Sequence, residues 1–286
     1  MIDILLGLNS KSISIESSSA IRIAVYAQSN GSAGRGEQDI PVYLQGEMSN
    51  VDGEGHNVYI RNRTNDGYEM INWSEGNTES GPNLCPTLVI GYLACQYYKK
   101  DIYMHKVAWG ARPLDKYVND PNDRVNNPVD TLQGYGYDYW DLNSKTEGEF
   151  FDLLTTGLEE GKQYFDANSI KYYDLGLVFI QGEADARSDA SNRRLRYEAN
   201  LNDLDTDIRN YVNNESFRFV CNVLHQNSDR LYVDDIRTIQ ANFADPNKKR
   251  YSFDLSPYQL WGDSVHYPNA SIVSWATDLF NTYLKL

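Results

Sequence analysis

Ser29 is the residue at which a reaction on this chain would begin. Residues 21–25, Ile-Arg-Ile-Ala-Val, are mostly β-branched or apolar and predict a short buried strand just before it. A serine placed where a strand gives way to a loop is held by rigid backbone, while its hydroxyl can face a cleft. A serine hydroxyl becomes a nucleophile only when a base takes its proton and an acid orients that base.

The base must be one of four histidines, and His266 has the most suggestive neighbour. Asp263 stands three residues before it, and the spacing Asp-x-x-His lets one short loop deliver acid and base together. The carboxylate can then hold the imidazole in one tautomer while the other ring nitrogen faces Ser29. The spacing is common, so a surface turn is the alternative interpretation. The remaining histidines are His56, His105 and His225.

The negative charge that develops on the carbonyl oxygen during ester cleavage needs hydrogen-bond donors directed at it. Candidates are the backbone N–H groups of Ser29 and Gly81 and the side-chain amide of Gln181. Gly81 has no Cβ, so a substrate can approach its backbone closely. Gln181 follows residues 174–180, the strongest predicted strand of the chain. The alternatives are a plain turn into a helix for Gly81 and a polar strand cap for Gln181.

The composition argues against several other functions. The chain has 286 residues and a formal charge of −14, so nucleic acid and anionic membranes are not expected as partners. No apolar run approaches the roughly 20 residues of a membrane span. The histidines and cysteines show no metal-ligand spacing, so neither a metal nor a cofactor is predicted. Buried free thiols are expected at Cys85, Cys95 and Cys221.

Predicted strands alternate with helices of about a dozen residues, which indicates an α/β fold with a mostly parallel sheet and helices on both faces. Ligands bind at the carboxyl ends of the strands in such sheets. Four residues fall at or just beyond predicted strand ends: Ser29, Gly110, Gln181 and His225. One domain is expected over residues 20–286, after a serine-rich lead-in over residues 1–20. A solvated helix face is predicted for Asp203, Asp205 and Asp207.

Four sequence blocks resemble the SGNH hydrolases, and the closest likeness is to the sialate O-acetylesterase-like branch, which includes acetylxylan esterases. Each block is weak evidence alone, but four in the family's order, each in its expected structural context, are strong evidence. Residues 236–240 also resemble the Arg-x-x-Gln piece of the family, and the resemblance covers about residues 20–286. The blocks are 27–30 (Ala-Gln-Ser-Asn), 81–82 (Gly-Pro), 181–186 (Gln-Gly-Glu-Ala-Asp-Ala) and 263–266 (Asp-Ser-Val-His).

The resemblance implies a flavodoxin-like three-layer α/β/α sandwich and a metal-free serine esterase that removes acetyl groups from sugars. In that scheme Ser29 is the nucleophile, His266 the base and Asp263 the usual acid. Ser29, Gly81 and Gln181 form the oxyanion hole. Glu183 is a second candidate, either as an alternative acid for the histidine or as an organiser of the site. Candidate substrate contacts are Gln28, Asn30, Arg112, Tyr139 and Trp140.

Departures from the family pattern bear on the fit of the substrate more than on the chemistry. Ala27 replaces a glycine, a small-for-small change, and the segment after Asn30 is one residue longer and lacks the family's methionine. Residues 109–112 resemble the family's Gly-Gly-Thr segment only loosely. The aromatic residues around Tyr139 and Trp140 are equally compatible with a sugar-stacking platform and with a lid over the sheet. Residues 262–264, Gly-Asp-Ser, spell the opening of the GDSL lipase motif, but no strand precedes them, so Ser264 is not taken as the nucleophile.

We therefore predict a carbohydrate O-acetylesterase that works through an acetyl-enzyme, with an acetylated poly- or oligosaccharide as its partner. The first residues make a poor signal peptide, whereas the family's substrates suggest a secreted or virion-associated protein. One alternative is a non-catalytic carbohydrate-binding module of a phage tail or surface complex, which would need no Ser, Asp and His set. Another is a lipid or thioester hydrolase of the same fold, which predicts a wide apolar cleft.

Overall fold

The structure is a computed structural model that describes residues 14–27, 40–61, 67–71, 84–108, 114, 150–187 and 191–285, without the side chains of 150–153 and 191–193. Seven strands in these residues form one sheet. In chain order they are β1 (Ala20–Ala27), β2 (Val58–Arg61), β3 (Glu69–Met70), β4 (Asp101–Ala108), β5 (Tyr172–Ile180), β6 (Arg218–Val223) and β7 (Arg250–Asp254).

The strand order across the sheet is β3-β2-β4-β1-β5-β6-β7. Neighbouring strands run parallel, except that β3 is antiparallel to β2. β1 lies between β4 and β5, and every one of its residues is buried. Its last residue, Ala27, pairs with Ala108 of β4 and with Ile180 of β5, so three central strands end at the same level.

Helices cover both faces of this sheet. The side chains of β1 alternate between two hydrophobic clusters, with Ile23 and Val25 in one and Ala24 and Tyr26 in the other. The first cluster contains residues of α1 (Pro86–Tyr98) and α5 (Asn269–Leu279). The second contains residues of α2 (Phe150–Ala167), α3 (Ser191–Val212) and α4 (Val233–Asn242). The predicted three-layer α/β/α fold with a mostly parallel sheet is confirmed.

Other predictions on the chain have mixed outcomes. All three cysteines are free and buried, as predicted. No helix in the described ranges is both long and apolar enough to cross a membrane. β7 is not predicted from the sequence, because this edge strand, Arg-Tyr-Ser-Phe-Asp, buries only Phe253. An edge strand with one covered residue lacks the apolar pattern by which strands are recognised.

The solvated face predicted on α3 is wrong for Asp205, which is only 1% exposed. One oxygen of its carboxylate accepts a hydrogen bond from Nε of Arg209 at 2.7 Å, and the other accepts one from Nε of Arg250 at 2.6 Å. A carboxylate can be buried when cations satisfy both of its oxygens. Arg250 lies on β7, so this partner was not visible in the periodicity of α3.

Candidate active site

The carboxyl edge of the central strands is where the predicted reaction centre falls. Ser29 follows the end of β1 by two residues, and Gln181 directly follows the end of β5. Of the predicted site residues, the structure describes Gln181, Glu183, Asp263 and His266. Seven predicted site residues lie outside the described residues: Gln28, Ser29, Asn30, Gly81, Arg112, Tyr139 and Trp140.

Asp263 and His266 are in direct contact in the loop between β7 and α5. Oδ2 of Asp263 lies 2.6 Å from Nδ1 of His266. Oδ1 of the same carboxylate accepts hydrogen bonds from the backbone N–H groups of Val265 at 3.0 Å and His266 at 2.9 Å. The loop is closed by the backbone N–H of Trp261, which donates to the carbonyl of His266 at 2.6 Å. Hydrogen bonds within one turn therefore hold Asp263 and His266 in contact.

These hydrogen bonds determine the charge of Asp263. Partial burial on its own would raise the pKa of the carboxyl group, but donation from the backbone and ring of His266 and from the backbone of Val265 outweighs it. The pKa of Asp263 is lowered to about 2. The carboxylate is thus ionised near neutral pH and accepts a hydrogen bond from the N–H at Nδ1 of His266. In the neutral ring this leaves the lone pair on Nε2, which is the tautomer that a general base needs.

The loop lies at the carboxyl edge of the sheet. The ring of Tyr267, the next residue after His266, has its centroid 6.4 Å from that of His225, which follows β6. Burial raises the pKa of Tyr267, and the negative charge of Glu183 adds to this effect. Glu183, the second candidate acid, is buried three residues beyond the end of β5. The carboxylate in contact with Nδ1 of His266 belongs to Asp263.

Two of the other histidines have environments that disfavour a basic role. His105 is fully buried in β4, and burial together with the positive charge of Arg61 lowers its pKa to about 3. Nδ1 of His225 accepts a hydrogen bond from the backbone N–H of Asn227 at 2.9 Å. Burial and the charge of Arg237 lower the pKa of His225.

The fourth histidine, His56, reproduces the geometry of the candidate pair at the opposite edge of the sheet. Its Nδ1 lies 2.6 Å from Oδ2 of Asp52, and Oδ1 of Asp52 accepts from the backbone N–H groups of Glu54 and His56. This pair precedes the start of β2 at Val58, so it lies at the amino edge. An Asp–His contact alone therefore does not identify a catalytic site. The position at the carboxyl edge, where ligands bind in such sheets, favours the Asp263–His266 pair as the candidate.

Gln181 is fixed by hydrogen bonds to both its backbone and its side chain. Its backbone N–H donates to Oδ1 of Asn222 at 2.8 Å, and its carbonyl accepts from Nε2 of Gln240 at 2.7 Å. Its side-chain Nε2 donates to Oδ2 of Asp185. Gln181 is completely buried, so these bonds hold a polar residue that would otherwise be costly to desolvate.

The Arg-x-x-Gln piece on α4 ties the ends of β5 and β6 together. Besides its bond to Gln181, Nε2 of Gln240 donates to the hydroxyl of Tyr197 at 2.9 Å, and its Oε1 accepts from the backbone N–H of Leu224 at 2.9 Å. Arg237, one turn earlier on α4, donates to the carbonyl of Leu224 and to Oγ of Ser256. The two side chains thus fix the backbone from which Gln181 projects.

Gly182 is required by this packing. Its φ is +135°, and a Cβ at this position would lie 2.7 Å from Nε2 of Gln240 and 3.1 Å from Cγ2 of Ile236. Any larger residue would have to displace the amide that holds Gln181. The glycine of the Gln-Gly-Glu block is therefore explained by both its backbone conformation and the proximity of α4.

Two residues near the candidate site, Asp185 and Trp261, have no role predicted from the sequence. Asp185 belongs to the 181–186 block, and its spacing of four residues from Gln181 is the signal that the sequence offers. Trp261 lies two residues before Asp263 and is 45% exposed, although large aromatic residues are mostly buried. Within the residues that the structure describes, no group of three or more His, Cys, Asp or Glu side chains is arranged to hold a metal ion.

The fold and these contacts define a class of protein. A three-layer α/β/α sheet that carries an Asp–His pair and a fixed amide at its carboxyl edge is the organisation that the resemblance to SGNH-type carboxylic ester hydrolases implies. Residues 164–285 match the family model described as carbohydrate esterase, sialic acid-specific acetylesterase. The matched segment includes Gln181, Asp263 and His266. The predicted resemblance is confirmed over this segment, and with it the prediction of a carboxylic ester hydrolase.

Solved structures show the same fold. A protein of Arabidopsis thaliana superimposes with a TM-score of 0.65 at 14% identity, over 92% of this chain and 97% of that one. A carbohydrate acetylesterase from Xanthomonas citri gives a TM-score of 0.53 at 10% identity, over 92% of this chain and 56% of that one. At these identities the likeness concerns the fold alone. A search of curated protein sequences gives no significant match.

Replacing Asp263 by asparagine should lower kcat by about 10³- to 10⁴-fold, because an amide at this position can stabilise the wrong tautomer of His266. Initial rates on an aryl acetate measure the effect. The same substitution in the pair at the amino edge, Asp52→Asn, is the matched control and should leave the rate unchanged. A larger loss in Glu183→Gln than in Asp263→Asn would contradict the assignment of Asp263 as the acid.

Proposed function

We propose that this protein is a serine-dependent carbohydrate O-acetylesterase. The observation that carries the proposal is the Asp263–His266 contact at the carboxyl edge of the sheet. This contact and two backbone hydrogen bonds keep the carboxylate ionised. That edge is also where β1 ends two residues before Ser29. A nucleophile, an oriented base and a fixed amide are the groups that acyl transfer requires.

The reaction proceeds in two halves. Oγ of Ser29 attacks the acetyl carbonyl while Nε2 of His266 takes its proton, and a tetrahedral intermediate forms. The backbone N–H groups of Ser29 and Gly81 and the amide of Gln181 stabilise its oxyanion. The bond to the sugar oxygen breaks, and His266 returns the proton to that oxygen. Water, activated by His266, then attacks the acetyl-enzyme and releases acetate and free Ser29.

The family match and one side chain support a carbohydrate as the substrate. Residues 164–285 match a family of carbohydrate esterases specific for acetyl groups on sialic acid. Trp261 exposes 45% of its surface in the loop that carries Asp263 and His266, and its backbone is bonded to His266. A partly exposed aromatic ring beside the acid and base offers an apolar face on which a sugar ring can stack. We assign Trp261 this role.

Acetate release tests the proposal. The protein should liberate acetate from at least one of a panel of O-acetylated glycans, including acetylated xylan and O-acetylated sialoglycans, but not from the same glycans after chemical deacetylation. Binding to an acetylated glycan without acetate release would instead favour a carbohydrate-binding module. Hydrolysis of long-chain acyl esters or thioesters, with no action on any glycan of the panel, would favour a lipid or thioester hydrolase.

The same assay tests the substrate class through Trp261→Ala. Loss of a stacking face should raise KM for the acetylated glycan by about three- to ten-fold and leave KM for a small aryl acetate unchanged. Tyr97→Ala is the matched control. Tyr97 is also a partly exposed aromatic residue, at 40%, but it lies at the end of α1, just before β4 begins at the amino edge of the sheet. Equal effects of Trp261→Ala on the two substrates would contradict a sugar contact.

A further inference from the structure

A groove between α4 and the edge strand β7 takes no part in the mechanism described above. Its volume is about 600 Å³, a size typical of pockets for small molecules. Val223 and Asp254, the last residues of β6 and β7, line it, and its other wall is α4, which contributes Asp234, Arg237 and Ala241. The groove therefore reaches the edge of the sheet that also carries the candidate active site.

The order of the strands places this groove beside the candidate active site and not within it. β7 is the third strand from β1, which ends two residues before Ser29. At the usual spacing of about 4.8 Å between neighbouring strands, the axes of β1 and β7 are about 14 Å apart. The charges of Asp254 and Arg237 nevertheless act on the pKa of Tyr267, the residue after His266. An extended substrate can therefore occupy both places, whereas a small ester occupies only the candidate active site.

Arg237 supplies hydrogen-bond donors to the groove. Its Nη1 donates to the carbonyl of Leu224, to Oγ of Ser256 at 2.8 Å and to Oδ1 of Asp254 at 3.3 Å. These bonds hold the guanidinium in place, and 19% of the side chain remains exposed. Within the described ranges, its Nε and Nη2 have no hydrogen-bond partner. A guanidinium carries five N–H groups, so this side chain offers further donors in a fixed direction.

Two carboxylates supply acceptors to the groove. Partial burial on its own would raise the pKa of Asp254, but donation from Ser256 and from Arg237 outweighs it and lowers that pKa. Asp254 is therefore ionised near neutral pH, and half of its side chain is exposed. Asp234 is exposed on the first turn of α4. The groove thus combines donors and acceptors that are open to a ligand.

A neutral sugar unit is the ligand that this combination fits. Each sugar hydroxyl both donates and accepts hydrogen bonds, so neighbouring hydroxyls can donate to a carboxylate and accept from Arg237. An anionic ligand would meet two carboxylates and one guanidinium, so like-charge repulsion disfavours it. We propose that this groove binds a neutral sugar unit of the glycan, beyond the unit that carries the acetyl group. The inference rests on the proposed function, because it concerns the part of the substrate that extends past the reacting ester.

Binding of unacetylated neutral oligosaccharides tests the groove without catalysis. The probes are xylohexaose, cellohexaose and mannohexaose, each titrated into the protein in a calorimeter. At least one of them should bind. Asp234→Ala should weaken its binding by about three- to ten-fold, the effect of losing one hydrogen bond, and Ala241→Met should weaken it by filling the groove. These two exposed positions are chosen because Arg237 and Asp254 also hold the start of the loop that leads to His266.

Asp235→Ala is the matched control. Asp235 is the neighbouring carboxylate on the same turn of α4, but it accepts a hydrogen bond from Arg194 at 2.7 Å and does not line the groove. This variant should bind the oligosaccharides as the wild type does, and melting temperatures should show that all three variants are folded. Binding of no probe, or equal affinities in the wild type and both groove variants, would overturn the proposal. A preference for the anionic sialyllactose over every neutral probe would overturn it as well.

The groove and the esterase activity can fail separately. Acetate release that depends on Ser29, without any oligosaccharide binding that the groove variants weaken, would refute the groove and leave the esterase. Binding that Asp234→Ala and Ala241→Met weaken, without acetate release from any acetylated glycan, would support the groove as a sugar site and refute the esterase. If both proposals are correct, Ala241→Met should raise KM for an acetylated glycan while kcat and KM for an aryl acetate stay unchanged.

Discussion

Ser29→Ala should reduce kcat for ester hydrolysis by about 10⁵- to 10⁶-fold, the scale of loss seen when a serine nucleophile of a catalytic triad is removed. Without Oγ no acetyl-enzyme can form, and neither the base nor the oxyanion donors can replace the missing bond. The measurement is the steady-state rate of acetate release, with the melting temperature as evidence that the variant is folded. A variant that retains the wild-type rate would rule out the mechanism.

The register of the sheet is the structural reason for this expectation. Ala27 and Ile180 are paired on the adjacent parallel strands β1 and β5, whose axes are about 4.8 Å apart. Gln181 follows Ile180 directly, and Ser29 comes two residues after Ala27. A nucleophile and an oxyanion donor that leave neighbouring strand ends at the same level are expected to face one carbonyl group.

Ser264→Ala is the matched control for Ser29→Ala. Ser264 lies between Asp263 and His266 and completes the Gly-Asp-Ser sequence that imitates a lipase motif. Its φ is +58°, and its backbone N–H donates to the carbonyl of Trp261 at 3.0 Å. Its backbone thus serves the turn, and the loss of its hydroxyl should leave kcat unchanged. If Ser264→Ala lost most of its kcat while Ser29→Ala stayed active, Ser264 rather than Ser29 would be the nucleophile.

His266→Ala should lower kcat by about 10⁴- to 10⁶-fold, because it removes the group that takes the proton from Ser29 and returns it to the departing oxygen. KM for a small ester should change little, since the ring acts on the proton rather than on ground-state binding. Saturation kinetics on an aryl acetate would separate the two parameters.

His56→Ala provides an unusually close comparison for His266→Ala. Both histidines hold an aspartate oxygen at 2.6 Å through Nδ1, and both aspartates accept two backbone N–H bonds. The pairs differ in their position, since one lies at the amino edge of the sheet and the other at the carboxyl edge. His56→Ala should therefore affect stability but not kcat. Similar losses of kcat in the two variants would mean that folding, not proton transfer, explains both.

The fold was predictable because its central strands are long apolar runs. β1 and β5 read as buried strands without any knowledge of their neighbours, and the helices between strands require parallel pairing. β3 and β7 were not predicted. Both lie at the edges of the sheet, where a strand has one neighbour and few buried side chains, so its sequence carries little periodic signal.

The candidate site was predictable where it is local. Asp263 and His266 are three residues apart, so the geometry of one turn brings them together and their spacing reveals it. The contact of Asp185 with Leu114 joins residues of different loops, and no spacing encodes it. The buried position of Asp205 was missed for the same reason, because its partner Arg250 lies on a different element. Burial of a charge depends on partners that only the complete fold assembles.

The placement of β1 in the middle of the sheet has a consequence for the order in which the molecule becomes active. β1 precedes both strands between which it lies, so it must wait for β4 and β5 to be synthesised before it is paired on both sides. His266 follows β7, and α5 then joins α1 in one core. Ser29 is thus synthesised early and His266 late, so esterase activity of a nascent chain is expected only after the residues through α5 have emerged and can pack against α1.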